Sequence, residues 1–325
     1  MNFALAALLS AAGAVLGLTA ALCPAQEYPV KPVRMIIPYP PGGGTDFFAR
    51  TLGAKLAEAF GQPVVMENRP GAAGVIGADA VAKAAPDGYT IFIGQASNLA
   101  INPHLMAKLP YDPLRDFSPV SLVGGSPSLL VVHPSLPVHT VKDLVALARA
   151  KPGAIVYASA GTGSPGHIST EYFKRVAGIE LLHVPYKGAR PALTNVLAGE
   201  ASLYFTSPVA AQPLVRAGRL RQVAVTSAKR FAPLPEVPTI AESGYPEIDI
   251  VSWWGLLTPA NVPREIVARL HAETVKSMNA PETKDRLAKQ GVAVMTNTPD
   301  AFAQFIRSEI DKWGRMVKAS GARLD

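Results

Sequence analysis

The sequence predicts an α/β fold in two lobes, each a mainly parallel sheet flanked by helices, and three observations carry that reading. From residue 28 onward, short β-rich runs alternate with helical patterns, as strand–helix–strand units require. Two glycine-rich turns, P-Y-P-P-G-G-G-T-D at 38–46 and A-S-A-G-T-G-S-P-G-H at 158–167, each follow a β-rich run and open an amphipathic stretch. Two breaks in the pattern, G-G-S-P at 124–127 and a proline-rich stretch at 231–246, are the candidate crossings between lobes. Lobe 1 is expected at 26–125 plus 248–325, and lobe 2 at 126–247.

At 325 residues and 49% hydrophobic, the chain can bury a core large enough for two domains. Its net charge of +7 comes from 31 Lys and Arg scattered singly against 24 Asp and Glu. Without a dense basic patch, a nucleic-acid partner is not expected, and the charge reads as a weak attraction for anions. Residues 1–25 carry no charge, are rich in Ala and Leu, and place Cys23 and Ala25 at the small-residue positions before Gln26. They read as a secretory signal peptide, although the positive n-region is missing and a retained membrane anchor is the alternative. Cys23 is the single cysteine, so cleavage leaves no disulfide and no thiol chemistry, as suits a periplasmic protein.

In chain order, residues 33–39 are the first expected strand, with Tyr39 at its end, and 45–60 its helix. Phe48, Leu52, Leu56 and Phe60 fall on one helix face at i+4 spacing, and Gly61 is the stop. Between strand and helix, Pro41, Gly42, Gly43 and Gly44 bare backbone N–H groups beside the positive end of the dipole, where an anion can bind without a cation. Thr45 is the expected N-cap, and Asp46 either caps or faces the site. Nucleotide fingerprints fail here, because Phe47 stands where a third glycine is needed and no G-K-S/T follows. Strands at 63–67 and 89–94 come next, and Ser97 and Asn98 fall just past a strand's carboxyl end, where open sheets bind ligands. Residues 102–119 read as irregular.

In the second lobe, Thr140 caps a helix to 151, and a strand at 154–157 leads into Ala160, Gly161, Thr162 and Gly163. Ser164 is the next N-cap, with Pro165 at the first helical position and His167 in the first turn. The two turns together suggest a clamp, one helix start from each lobe gripping a small anion. Strands follow at 181–184, 203–205 and 222–225, with Lys187 and Ser207 in loops just after the first two. A strand at 248–257 carries Trp253 and Trp254, of which one, taken as Trp253, is expected at the ligand. Helices at 263–278, 281–290 and 299–319 are expected to pack back on lobe 1.

Ser164 with His167 as base would make a hydrolase. Thr162, however, stands where the G-x-S-x-G elbow requires glycine, and N-capping already accounts for the serine. The six histidines form no H-x-x-x-H pair, so a metal is unsupported and no cofactor is expected.

The order of several short motifs carries a family resemblance: Y-P-x-K-P-V-R from Tyr28, P-P-G-G-G-T-D, E-N-R-P-G-A-A-G-x-I-G, P-D-G-Y-T, N-P-H-L, P-Y-D-P-x-x-D-F, A-S-A-G-x-G-S-x-x-H, V-P-Y-K-G, and L-P-E-V-P-T-I-A-E-S-G-Y. Together they resemble the extracytoplasmic solute receptors of the tripartite tricarboxylate transporter system, the Bug family. The resemblance implies a periplasmic two-lobed receptor of the type II periplasmic-binding-protein kind, closing on small carboxylates or related compounds without a cofactor, and the chain is expected to be monomeric. It places the ligand at two loops, 41–46 and 160–167, and implies integral-membrane transporter subunits as partners. A sensory receptor without a transporter is the alternative.

Overall fold

The structure is a computed structural model and describes residues 28–322. The chain divides into Met1–Val30 and one unit, Lys31–Asp325. The expected signal peptide lies outside the described residues.

Within the larger unit the chain builds β1 (Val33–Ile37), β2 (Val64–Asn68), β3 (Thr90–Gln95) and β4 (Phe117–Pro127). It then forms β5 (Leu129–Val132), β6 (Val156–Ser159), β7 (Leu182–Pro185), β8 (Leu203–Thr206) and β9 (Arg221–Val225), and returns for β10 (Val251–Pro259) and β11 (Ala293–Val294). Two sheets result, one of six strands in the order β11–β4–β10–β3–β1–β2 and one of five in the order β7–β6–β8–β5–β9. The helices flanking them are α1 (Gly44–Phe60), α2 (Val75–Ala82), α3 (Asn102–Leu105), α4 (Val141–Ala150), α5 (Pro165–Ala177), α6 (Ala189–Leu197), α7 (Pro208–Arg216), α8 (Arg264–Asn279), α9 (Pro281–Ala288) and α10 (Pro299–Ser320).

The sheets are mixed, where mainly parallel sheets were expected. β1 is parallel to β2 and β3, and β6 to β7 and β8. The strands next to the sheet-to-sheet crossings pair the other way: β10 is antiparallel to β3 and β4, and β5 to β8 and β9. A strand leaving a sheet and one returning to it run in opposite senses, whereas β1, β2 and β3, linked in turn by α1 and α2, run parallel, as do β6, β7 and β8, linked by α5 and α6.

Local sequence explains most helices. Phe48, Leu52 and Leu56 bury one face of α1 completely, and Gly61, at φ +62°, ends it in the left-handed conformation. α4 starts in a capping box, with the Asp143 N–H donating to Thr140 Oγ1 and the Asp143 carboxylate accepting from the Thr140 N–H. Thr298 caps α10 by accepting the Ala301 N–H, and Phe302, Ile306, Trp313 and Val317 form its buried stripe.

Two expected breaks take another form. Residues 124–127 do not interrupt the strand, because β10 pairs with β4 from Val251↔Pro127 to Pro259↔Phe117. The glycines serve packing: a Cβ on Gly124 would lie 2.8 Å from the Phe48 ring, and one on Gly125 2.6 Å from Met295 Sδ. The chain changes sheet at Ser128, whose N–H donates to Thr226 Oγ1 at 2.9 Å. Thr226 in turn donates its N–H to Ser128 O and its hydroxyl to Ile250 O, so outgoing and returning segments are bonded side by side. Residues 102–119, expected to be irregular, contain α3 and the start of β4, and a π-helical turn, Ser97–Ile101, precedes them. Asn98 holds that turn by accepting the Gln95 N–H on Oδ1 and the Tyr111 hydroxyl on its carbonyl.

Candidate functional site

A cavity of about 640 Å³ lies between the loops of the two sheets. The carboxyl ends of β1, β3, β6, β7 and β8 approach it, and so do the starts of five helices: Gly43 of α1, Gly74 of α2, Ser164 of α5, Gly188 of α6 and Ser207 of α7. Four of these N-cap residues, Gly43, Gly74, Gly188 and Ser207, make no side-chain cap bond. The first N–H groups of a helix have no intrahelical acceptor, so these starts concentrate open donors and positive dipole ends on one space. Among the described residues no aspartate or glutamate lines the cavity, and its charged side chains are Lys187 and Arg190. Tyr39, Tyr204, Phe205 and Trp254 supply aromatic wall. Burial pushes the Tyr39 and Tyr204 phenols up to about 12, so both stay neutral hydrogen-bonding groups at ordinary pH.

The lobes meet around this space. Ser97 donates to Gly163 O at 3.4 Å, and Arg216 donates to Lys289 O at 2.7 Å. A Cβ on Gly44 would stand 3.0 Å from Ser207 Oγ and 3.3 Å from the Trp254 ring. The arrangement is a cleft whose two walls are already close.

Residues 48–322 match the family described as the tripartite tricarboxylate transporter family receptor. The chain is 38% identical to protein BugT of Bordetella pertussis over 301 residues, 92% of each chain. The solved structure of R. palustris Rpa4515 with adipate superposes with a TM-score of 0.89 at 38% identity, covering 92% of this chain and all of that one. The periplasmic binding protein BugD gives 0.85 at 30% identity, covering 91% and 99%. This chain belongs to the tripartite tricarboxylate transporter receptor family. Like those relatives, the receptor has the two-lobed periplasmic-binding-protein fold.

Of the residues singled out in the receptor's sequence, Tyr39, Pro41, Gly43, Gly44, Thr45, Ser97, Ala160, Gly161, Thr162, Ser164 and Ser207 lie on the cavity wall. Thr45 is not the N-cap, which is Gly43. Its hydroxyl reaches sideways, donating to Gln95 Oε1 at 2.7 Å and accepting from Trp254 Nε1 at 3.0 Å.

Gly42, Asp46, Asn98, Gly163, His167 and Trp253 stand behind the wall. Asp46 accepts the Gly42 N–H, the Asn68 amide and Arg50 Nε, all near 3.0–3.1 Å. Desolvation would raise its carboxyl, but these hydrogen bonds from Arg50, Asn68 and Gly42 outweigh it and hold the group below the usual range. Asp46 therefore braces the turn from behind and caps it. Gly163 donates its N–H to His167 Nδ1 at 3.2 Å, and the buried His167 ring stacks on His183 at 4.3 Å. Burial, then the neighbouring His183 charge, lowers His167 to about 4. Ser164 Oγ accepts the His167 backbone N–H at 3.4 Å, so the serine caps and the ring's Nδ1 is already engaged elsewhere.

Trp253 is a correction. It is 1% exposed and donates to Glu309 Oε2 at 2.8 Å, an oxygen that also accepts from Trp313. Trp254 takes the cavity place and stacks on Phe48 at 5.5 Å and 8°. Strand neighbours point to opposite sides, and the sequence around the pair does not say which side faces α10. Gln95, Gly71, Tyr204 and Arg190 were not among the expected residues although they line the cavity. Gln95 ends β3, Gly71 follows β2 and Arg190 opens α6, and that position was the available signal, whereas Tyr204 lies inside β8 and carried no such signal.

Proposed function

We propose that this receptor is exported to the periplasm, captures a small carboxylate in its cavity, and presents it to the membrane subunits of a tripartite tricarboxylate-type transporter. The carrying observation is the convergence of five helix starts on a cavity with no carboxylate among the described residues of its wall. Such a site favours an anion through dipoles and N–H donors, as helix starts do generally. Two relatives support the class: Rpa4515 was solved with adipate, and MatC of Rhodopseudomonas palustris, 31% identical with a TM-score of 0.83 and covering 89% and 100%, with bound malate. Among the described residues no helix is long and apolar enough to cross a membrane.

The receptor acts by binding and closure, with no chemical step. Ser164 is spent on capping α5, and the His167 Nδ1 accepts from Gly163. The lobes, 26–125 plus 248–325 and 126–247 in outline, rotate about the paired segments at Ser128, Thr226 and Ile250. Isothermal titration of the purified mature chain with mono-, di- and tricarboxylates tests this. Saturable binding of a carboxylate without consumption is expected. Turnover of activated esters abolished by Ser164→Ala would overturn it.

A further inference from the structure

Two cations at the cavity have no partner among the described residues. Lys187 and Arg190 are exposed lining residues, and neither side chain has a hydrogen-bond acceptor or ion-pair partner there. Arg190 is the one with a defined seat. It lies in the first turn of α6, and its guanidinium crosses the cleft onto Gly42, with Cζ and Nε each 3.0 Å from where a Cβ on that glycine would be. Gly42 has φ +85°, and its own N–H is taken by Asp46 Oδ2, so it offers the guanidinium a bare backbone face and no acceptor side chain. A cation in the first turn of a helix opposes the dipole and costs stability. The described residues therefore give Arg190 no compensation for its position, and the neutral donors at the helix starts already suffice for one carboxylate.

We propose that Arg190 is the specificity-determining residue of the site. Its planar guanidinium, seated over Gly42, pairs with a second anionic group at the far end of the ligand, so the receptor prefers a carboxylate with two acid groups to one with a single acid group. This rests on the carboxylate reading above and adds the ligand's other end. The pair forms across the cleft, because Arg190 belongs to α6 of the second lobe while its seat belongs to the turn before α1. A doubly charged ligand then joins the two walls, whereas a singly charged one leaves the guanidinium unpaired. A fork-shaped cation suits a carboxylate better than an ammonium does, so lysine at this position should recover only part of the effect.

The test is calorimetric titration of the wild type, Arg190→Ala, Arg190→Lys and Lys187→Ala with α,ω-dicarboxylates of four to eight carbons and their length-matched monocarboxylates. The wild type should bind the best dicarboxylate roughly 10- to 100-fold more tightly than its matched monocarboxylate. Arg190→Ala should remove most of that ratio by weakening the dicarboxylate, Arg190→Lys should restore part of it, and Lys187→Ala, which removes a charge from the same cavity, should weaken both ligand types together and move the ratio less than Arg190→Ala does. Equal weakening of both ligand types by Arg190→Ala would overturn the proposal and leave a purely structural latch. An equal effect of Lys187→Ala would overturn it in favour of a general field. Failure of the wild type to bind any of these acids would instead overturn the carboxylate reading, and this inference with it.

Discussion

The Trp254 indole donates its Nε1–H to Thr45 Oγ1 at 3.0 Å, and the Thr45 hydroxyl in turn donates to Gln95 Oε1 at 2.7 Å. One short chain of hydrogen bonds thus ties β10, α1 and β3 together within the cavity wall, all three residues being largely buried. Thr45→Val keeps the shape but strands an indole N–H and an amide oxygen. It should cost about 1–3 kcal/mol in chemical denaturation and loosen the Trp254 ring, seen as altered tryptophan fluorescence. Thr45→Ser keeps both bonds and should recover most of the loss.

That chain also shows what the sequence could and could not reveal. The i+4 row Phe48, Leu52 and Leu56, the capping residues Thr140, Ser164 and Thr298, and the two helix-opening turns are local patterns, and local patterns survive in sequence. Thr45 resembles a cap because threonine before an apolar run usually is one. Its use as a relay depends on Gln95, 50 residues away, and Trp254, 209 residues away. Gly124 and Gly125 likewise read as a break, since a glycine demanded by the Phe48 ring is indistinguishable from one demanded by a turn. The choice between Trp253 and Trp254 depended on α10, which lies about fifty residues later in the chain.

Asp46 neutralises the back of the turn whose front faces the cavity. Removing it in Asp46→Ala leaves the Gly42 N–H without its acceptor and takes one of two acceptors from the Asn68 amide and from Arg50, which keep Tyr39 O and Asn68 Oδ1, and should cost about 1–3 kcal/mol in stability. Asn at this site retains an acceptor for Gly42 and should cost less. Because the folded carboxyl titrates below its ordinary value, its contribution is complete above the unfolded value of 3.8 and disappears as pH falls through the lower folded value. The wild-type advantage over Asp46→Asn should therefore shrink below about pH 4 in denaturation midpoints.

Gly43 and Gly44 are neighbours with different constraints. Gly43 has φ −93° and no heavy atom within 4 Å of where a Cβ would stand, so Gly43→Ala should fold and bind like the wild type. Gly43→Asp adds a negative charge at the anion-binding space and should weaken carboxylate affinity about tenfold or more. Gly44→Ala sets a methyl 3.0 Å from Ser207 Oγ across the cleft and should hinder closure while leaving each lobe folded. Small-angle scattering with ligand present would show a more open envelope than the wild type. Unchanged affinity in folded Gly43→Asp would remove this turn from the ligand site.

Acid sensitivity should centre on His167. Its neutral ring accepts the Gly163 N–H at Nδ1 and stacks on His183, whose Nε2 bonds Ser159 Oγ at 2.7 Å. Ser159 Oγ also accepts the Gly161 N–H, so the two rings together hold the loop that forms part of the cavity wall. Nearby, Glu171 accepts from the Tyr157 hydroxyl and from Lys174 Nζ, leaving that carboxylate neutralised by its own partners. Burial lowers His167 from 6.5 to about 4, and lowers His183 as well. The unfolded chain then binds protons near pH 6.5 that the folded chain refuses until about pH 4, so stability is full above that window and declines as pH falls through it. For His167 the loss amounts to roughly 3 kcal/mol across the window. His167→Asn should flatten the midpoint-versus-pH curve between those values, and a curve of unchanged slope would show that this ring is not the group that titrates there.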